Sequence, residues 1–262
     1  MFSRHALVRP PSPLLAEGLI THIDRSDRVD VELAQRQWEG YVAALRAAGW
    51  ITHEVAAAPD CPDSVFVEDT MVVYGDLAIV SRPGADERWP EISAAEDAVS
   101  AQGYRVVRIE APGTLDGGDV LKHEGTVWVG VGGRTNADGV AQLQEHLQQF
   151  GVTVVTVSMT KALHLKSAVT ALPDGTIIGY EPVVDDPGIW GERFLAVPEE
   201  PGAHVVLLED DTLLMSSAAP RTAELFEQRG YRVMGVDISE FEKLEGCVTC
   251  LSVRLRGRPG DH

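Results

Sequence analysis

The sequence predicts an α/β fold of about five strand-strand-helix-strand units wrapped radially around one axis. Three observations carry that expectation. Amphipathic helical runs end in glycine and pass at once into a β-branched or aromatic strand. Pairs of short strands joined by a polar turn precede the helices. An ionisable residue then falls at a similar distance after the glycine, where the next unit begins. A sandwich of two or three layers accommodates the first two observations, and the third tips the choice to the radial arrangement.

The first helix is VELAQRQWEGYVAALRAAG (31–49), followed by the strand WITHEVA. Its apolar residues recur at the 3.6-residue spacing, and the closing glycine suits the left-handed conformation that ends a helix. The strand pair VFVEDTMVVYGDLAIVSR (65–82), turning at GD, leads to the helix EISAAEDAVSAQG (91–103) and the strand YRVVRIE. GDVLKHEGTVWVGVG (118–132), turning at HEG, is followed by the helix NADGVAQLQEHLQQFG (136–151) and VTVVTVS. SAVTALPDGTIIGYE (167–181) is a strand pair whose helix region, around 182–200, is degenerate. HVVLLEDDTLLMSS (204–217), turning at EDD, precedes TAELFEQRG (222–230) and YRVMGVD, and CVTCLSVRL (247–255) closes onto the N-terminal ALVRP and the first helix. The reading is one catalytic domain over 1–262, with 256–262 as a flexible tail.

At 262 residues the chain can bury one large core, and 44% apolar with 24% charged residues is ordinary globular composition. The net charge of −18 makes nucleic acid and anionic membranes poor partners, since the one local cationic cluster, Arg254, Arg256 and Arg258, falls at the tail. A small cationic substrate suits this field, although such a charge also simply keeps a cytoplasmic protein soluble. Most of the carboxylates belong to solvated helix faces such as EISAAED and TAELFEQ. Three cysteines, Cys61, Cys247 and Cys250, cannot all pair with one another, which points to a reducing cytoplasm. The stretch before Pro10 is too short for a signal peptide, and no window approaches ~18 uninterrupted apolar residues. A homodimer is compatible with the sequence, which carries no mark of oligomeric state.

The ionisable residues at the unit starts are Asp63, 14 residues after Gly49; Asp116, 13 after Gly103; His164, 13 after Gly151; and Cys250, 20 after Gly230. Radially arranged units bring such positions to one place. Thiol, imidazole and carboxylate together suit covalent catalysis, and the acids Asp63, Glu68 and Asp69 complement a guanidinium or amidinium fork. Each piece alone has a duller explanation. Cys250 is core filler, His164 in KALHLKS an interior histidine, Asp116 with Gly117 and Gly118 a turn, and Glu68 with Asp69 a solvated strand end. Cys247 and Cys250 also form a CxxC, yet no second cysteine or histidine pair completes a zinc or redox motif. GVGG (130–133) lacks the third glycine of a dinucleotide-binding turn. No metal and no cofactor are expected.

At PDSVFVEDT (62–70), SRPGADER (81–88), TLDGGDVL (114–121), GRTN (133–136), LHLKS (163–167) and LEGCVTCLSV (244–253), the sequence resembles the dimethylarginine dimethylaminohydrolase family. The resemblance runs from RPPSPLLAEGLIT (9–21) to the last strand. It implies a five-bladed pseudosymmetric α/β propeller of the amidine-modifying superfamily. It further implies Cys250 as nucleophile, His164 as general acid and base, and Asp116 as the carboxylate that sets the imidazole. Glu68 and Asp69 then clamp the guanidinium, and Asp63, Arg88 and Arg134 hold the amino-acid end of the substrate. Leu19, in an N-terminal loop that aligns only with a gap, and Leu244, through its carbonyl, make lesser contacts. The implied activity releases citrulline and an alkylamine from Nω-methylated arginine through a thiouronium on Cys250. Arginine or agmatine deiminases and amidinotransferases share this residue set, and a non-catalytic ligand-binding propeller is the remaining alternative.

Overall fold

The computed structural model describes residues 4–24, 28–209 and 211–256. Each of four helical runs ends where the glycine spacing places it: α1 (Val31–Ala47), α2 (Ile92–Ser100), α3 (Ala137–Leu147, with one further 3-10 turn) and α5 (Pro220–Gln228). Gly49, Gly103, Gly151 and Gly230 take φ of 80°, 86°, 64° and 92°, the left-handed conformation that turns the chain back toward its sheet. Two single-turn helices, α4 (Leu165–Ala168) and α6 (Ser239–Glu242), lie in connections between blades.

The strands form five three-stranded sheets, each an antiparallel pair with a third strand added in parallel after the helical crossover. They comprise β3 (Met71–Tyr74), β4 (Leu77–Val80) and β5 (Arg105–Arg108); then β6 (Val120–His123), β7 (Thr126–Val131) and β8 (Thr153–Ser158). β9 (Val169–Ala171), β10 (Ile177–Gly179) and β11 (Phe194–Ala196) make the next sheet, and β12 (Val206–Glu209), β13 (Thr212–Ser216) and β14 (Arg232–Val236) the one after. The remaining sheet closes the ring: β15 (Val253–Arg256), the last strand, pairs antiparallel with β1 (Arg4–Val8), which pairs in parallel with β2 (Ile51–Glu54). In the β9–β11 blade, 3-10 turns at Glu181–Val183, Pro187–Ile189 and Gly191–Arg193 replace the helix. Pro182 and Pro187 lack the amide hydrogen that a longer helix requires there.

Alternation along the strands explains why five sheets share five cores. Val72 packs between the β3 and β6 blades, whereas Val73 packs between the β1 and β3 blades. Val120 and Leu121, Ile177 and Ile178, and Leu213 and Leu214 divide in the same way between successive cores. The core containing Leu208 and Leu214 also holds Ala6 and Val8, so the last blade packs against the first. Successive strand residues point to opposite faces, and β3, β4, β7 and β13 are mostly apolar along their length because both of their faces are covered, whereas the outer strands β2, β5 and β14 stay partly exposed. The architecture is a five-bladed pseudosymmetric α/β propeller.

Two boundaries differ from the sequence expectation. Val67–Thr70 is a buried 3-10 turn and not the start of a strand, so Glu68 and Asp69 are not a solvated strand end. Its backbone is diverted by tertiary contacts: the Glu68 amide donates to the Cys250 carbonyl at 3.1 Å, and the Arg88 guanidinium donates to the Phe66 carbonyl at 3.0 Å. Arg254 and Arg256 are also not tail residues, because both lie in β15, where pairing with β1 fixes them. Arg258 and the rest of the expected tail, 257–262, lie outside the described residues.

Candidate active site

The five inner strands β3, β6, β9, β12 and β15 surround the axis, and the segments just before four of them bring the ionisable residues together. Cys250, His164, Asp63, Asp69, Arg88, Arg134, Leu19 and Leu244 all line one cavity of about 20 Å³. Phe66, Leu163, Glu245 and Gly246 complete it. Asp116 stands behind His164, fully buried, with Oδ2 at 3.0 Å from Nε2 of the imidazole. Glu68 is not brought to this cavity. Its Oε1 pairs with Lys166 Nζ at 2.6 Å and with Arg254 Nη2, on the far side of the 3-10 turn.

Local geometry explains the glycines of LDGGDVL. The Gly118 amide donates to Asp69 Oδ1 at 2.9 Å, and a Cβ at this glycine would stand 2.5 Å from that oxygen and 2.8 Å from His164 Nδ1. A Cβ on Gly117 would meet the Glu68 carbonyl at 2.1 Å. The pair therefore lets backbone pass directly against the reactive groups, beyond what a turn requires. Asp116 Oδ1 accepts from the Gly84 amide at 3.0 Å, which fixes the carboxylate that orients His164.

Arg88 differs most from its expected part. All three of its nitrogens donate to protein acceptors: Nη1 to Asp69 Oδ2 at 2.5 Å, Nε to Glu91 Oε1 at 2.5 Å, and Nη2 to the carbonyls of Asp63 and Phe66. Behind it, the fully buried Arg9 donates to the Glu91 carbonyl at 2.9 Å, with Nη1 at 3.8 Å from Glu91 Oε2. Glu91 thus corrects the assignment of EISAAED to a solvated face, being 1% exposed and held between two guanidiniums. Arg134 reaches the cavity with Nη1 at 3.9 Å from Asp116 Oδ2. Leu19 donates its amide to Asp63 Oδ2 at 3.1 Å, so the N-terminal loop lies over the cavity.

Sequence reasoning missed the groups that fix this arrangement. Glu245 accepts from the amides of Thr21 and His22 at 2.7 and 2.8 Å, which latches the Leu19 loop to the 244–246 turn. Asp119 accepts from Thr135 Oγ1 at 2.6 Å and from the Leu165 amide at 3.0 Å, which positions the segment carrying His164. Both residues lie within the quoted motifs, but nothing in their spacing gives their partners.

Electrostatics separate the site's groups. Burial opposes protonation of His164, yet Asp69, Asp119 and Asp116 push its pKa up to about 9. Burial likewise opposes ionisation of Asp69, but His164 and Arg88 hold its carboxyl down at about 2. Asp119, buried with less compensation, is raised to about 6. The Cys250 thiol is held well above the usual range by its hydrogen bond to Cys247, by burial and by the nearby carboxylates Glu68 and Asp69. The two sulfurs are 3.3 Å apart, and the described cysteines are free thiols. Asp69, Asp116 and His164 offer donor atoms within 4.8 Å of one another. Their lone pairs already serve Arg88, the Gly84 and Gly118 amides and each other, so the trio reads as an ion-paired acid-base group.

Fold and site together define a class: a five-bladed α/β propeller with a thiol, an imidazole-carboxylate pair and a buried guanidinium-carboxylate chain at one end of its axis. No protein-family model matches the chain. The dimethylarginine dimethylaminohydrolase of Streptomyces coelicolor is 59% identical over 256 residues, covering 98% of each chain. A dimethylarginine dimethylaminohydrolase structure containing an adduct with S-methyl-L-thiocitrulline superimposes with a TM-score of 0.90 at 32% identity, covering 97% of this chain and 100% of that one. The Pseudomonas aeruginosa enzyme, solved as a mutant with citrulline, gives 0.89 at 32% identity over the same shares. The chain belongs to the dimethylarginine dimethylaminohydrolase family.

Proposed function

We infer that this protein hydrolyses Nω-methylated arginines to citrulline and dimethylamine or methylamine. The observation that carries the reading is the single cavity in which Cys250 and His164 meet the carboxylates Asp63 and Asp69 and the guanidiniums Arg88 and Arg134. Such a lining complements a ligand with a cationic head and a zwitterionic amino-acid end.

In this reading the substrate guanidinium lies against Asp69, and Asp63 and Arg134 take the ammonium and carboxylate ends. At about 20 Å³ the cavity holds no more than a water, so entry requires the Leu19 loop to release from Asp63 and Glu245. The raised Cys250 pKa gives the substrate a chemical task. A cation placed beside the sulfur favours thiolate, so the nucleophile forms when its target arrives. Thiolate attacks the guanidinium carbon, and the C=N electron pair moves onto nitrogen. Protonated His164 donates its proton to the methylated nitrogen, and the C–N bond breaks to release amine. The planar thiouronium on Cys250 is attacked by water whose proton passes to His164. The C–S bond then breaks, returning the thiolate, and the proton left on the new oxygen passes to solvent to leave citrulline. Asp116 holds the imidazole throughout. Among the described residues no helix is long and apolar enough to cross a membrane, and the free thiols support a cytoplasmic location.

Mass spectrometry of protein quenched during turnover of dimethylarginine tests the reading. The expected result is a thiouronium adduct on the Cys250 peptide, with citrulline and dimethylamine formed one to one. Faster release of ammonia from arginine than of dimethylamine from dimethylarginine would assign the chain a deiminase activity instead.

A further inference from the structure

A second cavity, of about 660 Å³, continues along the axis and is lined by residues of all five inner strands. It shares no lining residue with the cavity that holds the thiol. Its charge is opposite to that of the chain as a whole. Four cations, Lys122, Lys166, Arg254 and Arg256, line it against two carboxylates, Glu68 and Glu124, in a protein of net charge −18. One oxygen of Glu68 serves both Lys166 and Arg254. The Glu124 side chain is 80% exposed and sits beside His123. Lys122 has only a neutral acceptor, the Val73 carbonyl at 2.5 Å, and among the described residues no carboxylate pairs with it. Arg256, at the edge of the cavity, is already engaged, donating to the Leu207 carbonyl and lying over the Trp50 ring at 5.5 Å.

Four side chains of one sign held around one cavity repel each other, and that cost is relieved by an anion. Lys122 registers the repulsion: its side chain is exposed to the open cavity, and the protein crowded around its ammonium, with the neighbouring Lys166 and Arg254, lowers its pKa against the attraction of Glu68. Met71, Leu121 and Val253 give the same cavity apolar wall, and its volume exceeds that of an inorganic anion, so an organic body is accommodated beside the charged group. Separate ammonium groups on two blades, each with donors left over, match the tetrahedral oxygens of a phosphate better than the single plane of a carboxylate.

We propose that this axial cavity is a binding site for a small phosphomonoester, its phosphate held by Lys122 and Lys166 in the field of Arg254 and Arg256. The site is separate from the cavity of the proposed hydrolysis and does not depend on that activity.

Isothermal titration calorimetry with inorganic phosphate as the probe tests it, in a phosphate-free buffer of constant ionic strength, with and without saturating citrulline. The expected result is saturable one-to-one binding, undiminished by citrulline and weakened about tenfold by Lys122→Gln, the loss of one charge-assisted contact. Lys122→Arg, which keeps the charge, should bind within about threefold of the unaltered protein. Retained hydrolysis of dimethylarginine by Lys122→Gln verifies the fold, since Lys122 lines only the second cavity. The proposal is overturned by any one of four results: no saturable heat up to about 20 mM phosphate, equal affinity in Lys122→Gln, displacement by citrulline, or acetate binding as tightly as phosphate.

Discussion

The two axial cavities differ in sign, size and packing although neighbouring residues build both. Asp69 and Cys250 face the small cavity, while Glu68 and Thr249, one position earlier, line the large one. Around the small cavity, charges are paired to near saturation in the chain Arg9, Glu91, Arg88, Asp69. Around the large one, cations outnumber carboxylates. A one-residue step in a turn or strand decides which chemistry a side chain enters, because successive side chains leave the backbone in different directions.

The small cavity's chemistry depends most on the thiol. Cys250→Ala should lower kcat by about 10⁴-fold or more, since the covalent route is lost, and a variant that still turns over dimethylarginine at the original rate removes Cys250 from the chemistry. Asp116→Asn should cost about 10²-fold to 10⁴-fold in kcat. Because Asp116 helps to hold the imidazolium near pKa 9, the alkaline fall in kcat/KM should move to lower pH in that variant. An unshifted limb would show that another group sets it.

The adjacent acids sharpen the contrast. Asp69→Asn should raise KM by about 100-fold, the loss of a charge-assisted partner to the guanidinium. Glu68→Gln should leave KM within about fivefold yet cost roughly 2–4 kcal/mol in stability, because Lys166 and Arg254 lose the carboxylate between them. Denaturant titration beside steady-state kinetics separates the two outcomes, and a larger KM effect at Glu68 would reverse the assignment. The site also imposes a pH signature on stability. His164 is raised from 6.5 to about 9 on folding, so its contribution is complete below about 6.5 and is lost as pH rises through 9. That is roughly 3 kcal/mol. Asp69 reports the same ion pair from the acid side, with stability present above 3.8 and lost as pH falls through about 2. Midpoints of urea unfolding between pH 6 and 10 should fall accordingly, and a flat profile would contradict the raised imidazole. The smallest effect is at the second sulfur. Cys247→Ser should retain turnover within about threefold, since serine keeps a hydrogen-bonding group beside Cys250, whereas a metal or redox role for the CxxC demands that both cysteines be equally sensitive.

Much of the fold was legible because it repeats. The four terminal glycines each mark a left-handed helix end, and the degenerate pattern around 182–200 marks the blade in which short 3-10 turns replace the helix. The convergence of Asp63, His164 and Cys250 follows from the same repeat, whereas the place of Asp116 beside the imidazole was implied by the family resemblance. Glu91 was not legible, because a carboxylate at the start of an amphipathic helix resembles any solvated one until a buried arginine is placed against it. Arg254 was misplaced for a related reason. Near a chain end it resembled a tail, whereas strand pairing with β1 carries it onto the axis.

Periodicity along the chain determined the units, their order, the closure of the last strand on the first and the residues that meet at the axis. These depend on backbone geometry, which recurs wherever the local pattern recurs. Only the tertiary structure decided which charges face each other: Arg88 toward Asp69 and Glu91, Glu68 toward Lys166 and Arg254, and a cationic cavity within an acidic protein. Coulombic and hydrogen-bonding partners are set by distances between blades, to which no local spacing in the sequence is bound.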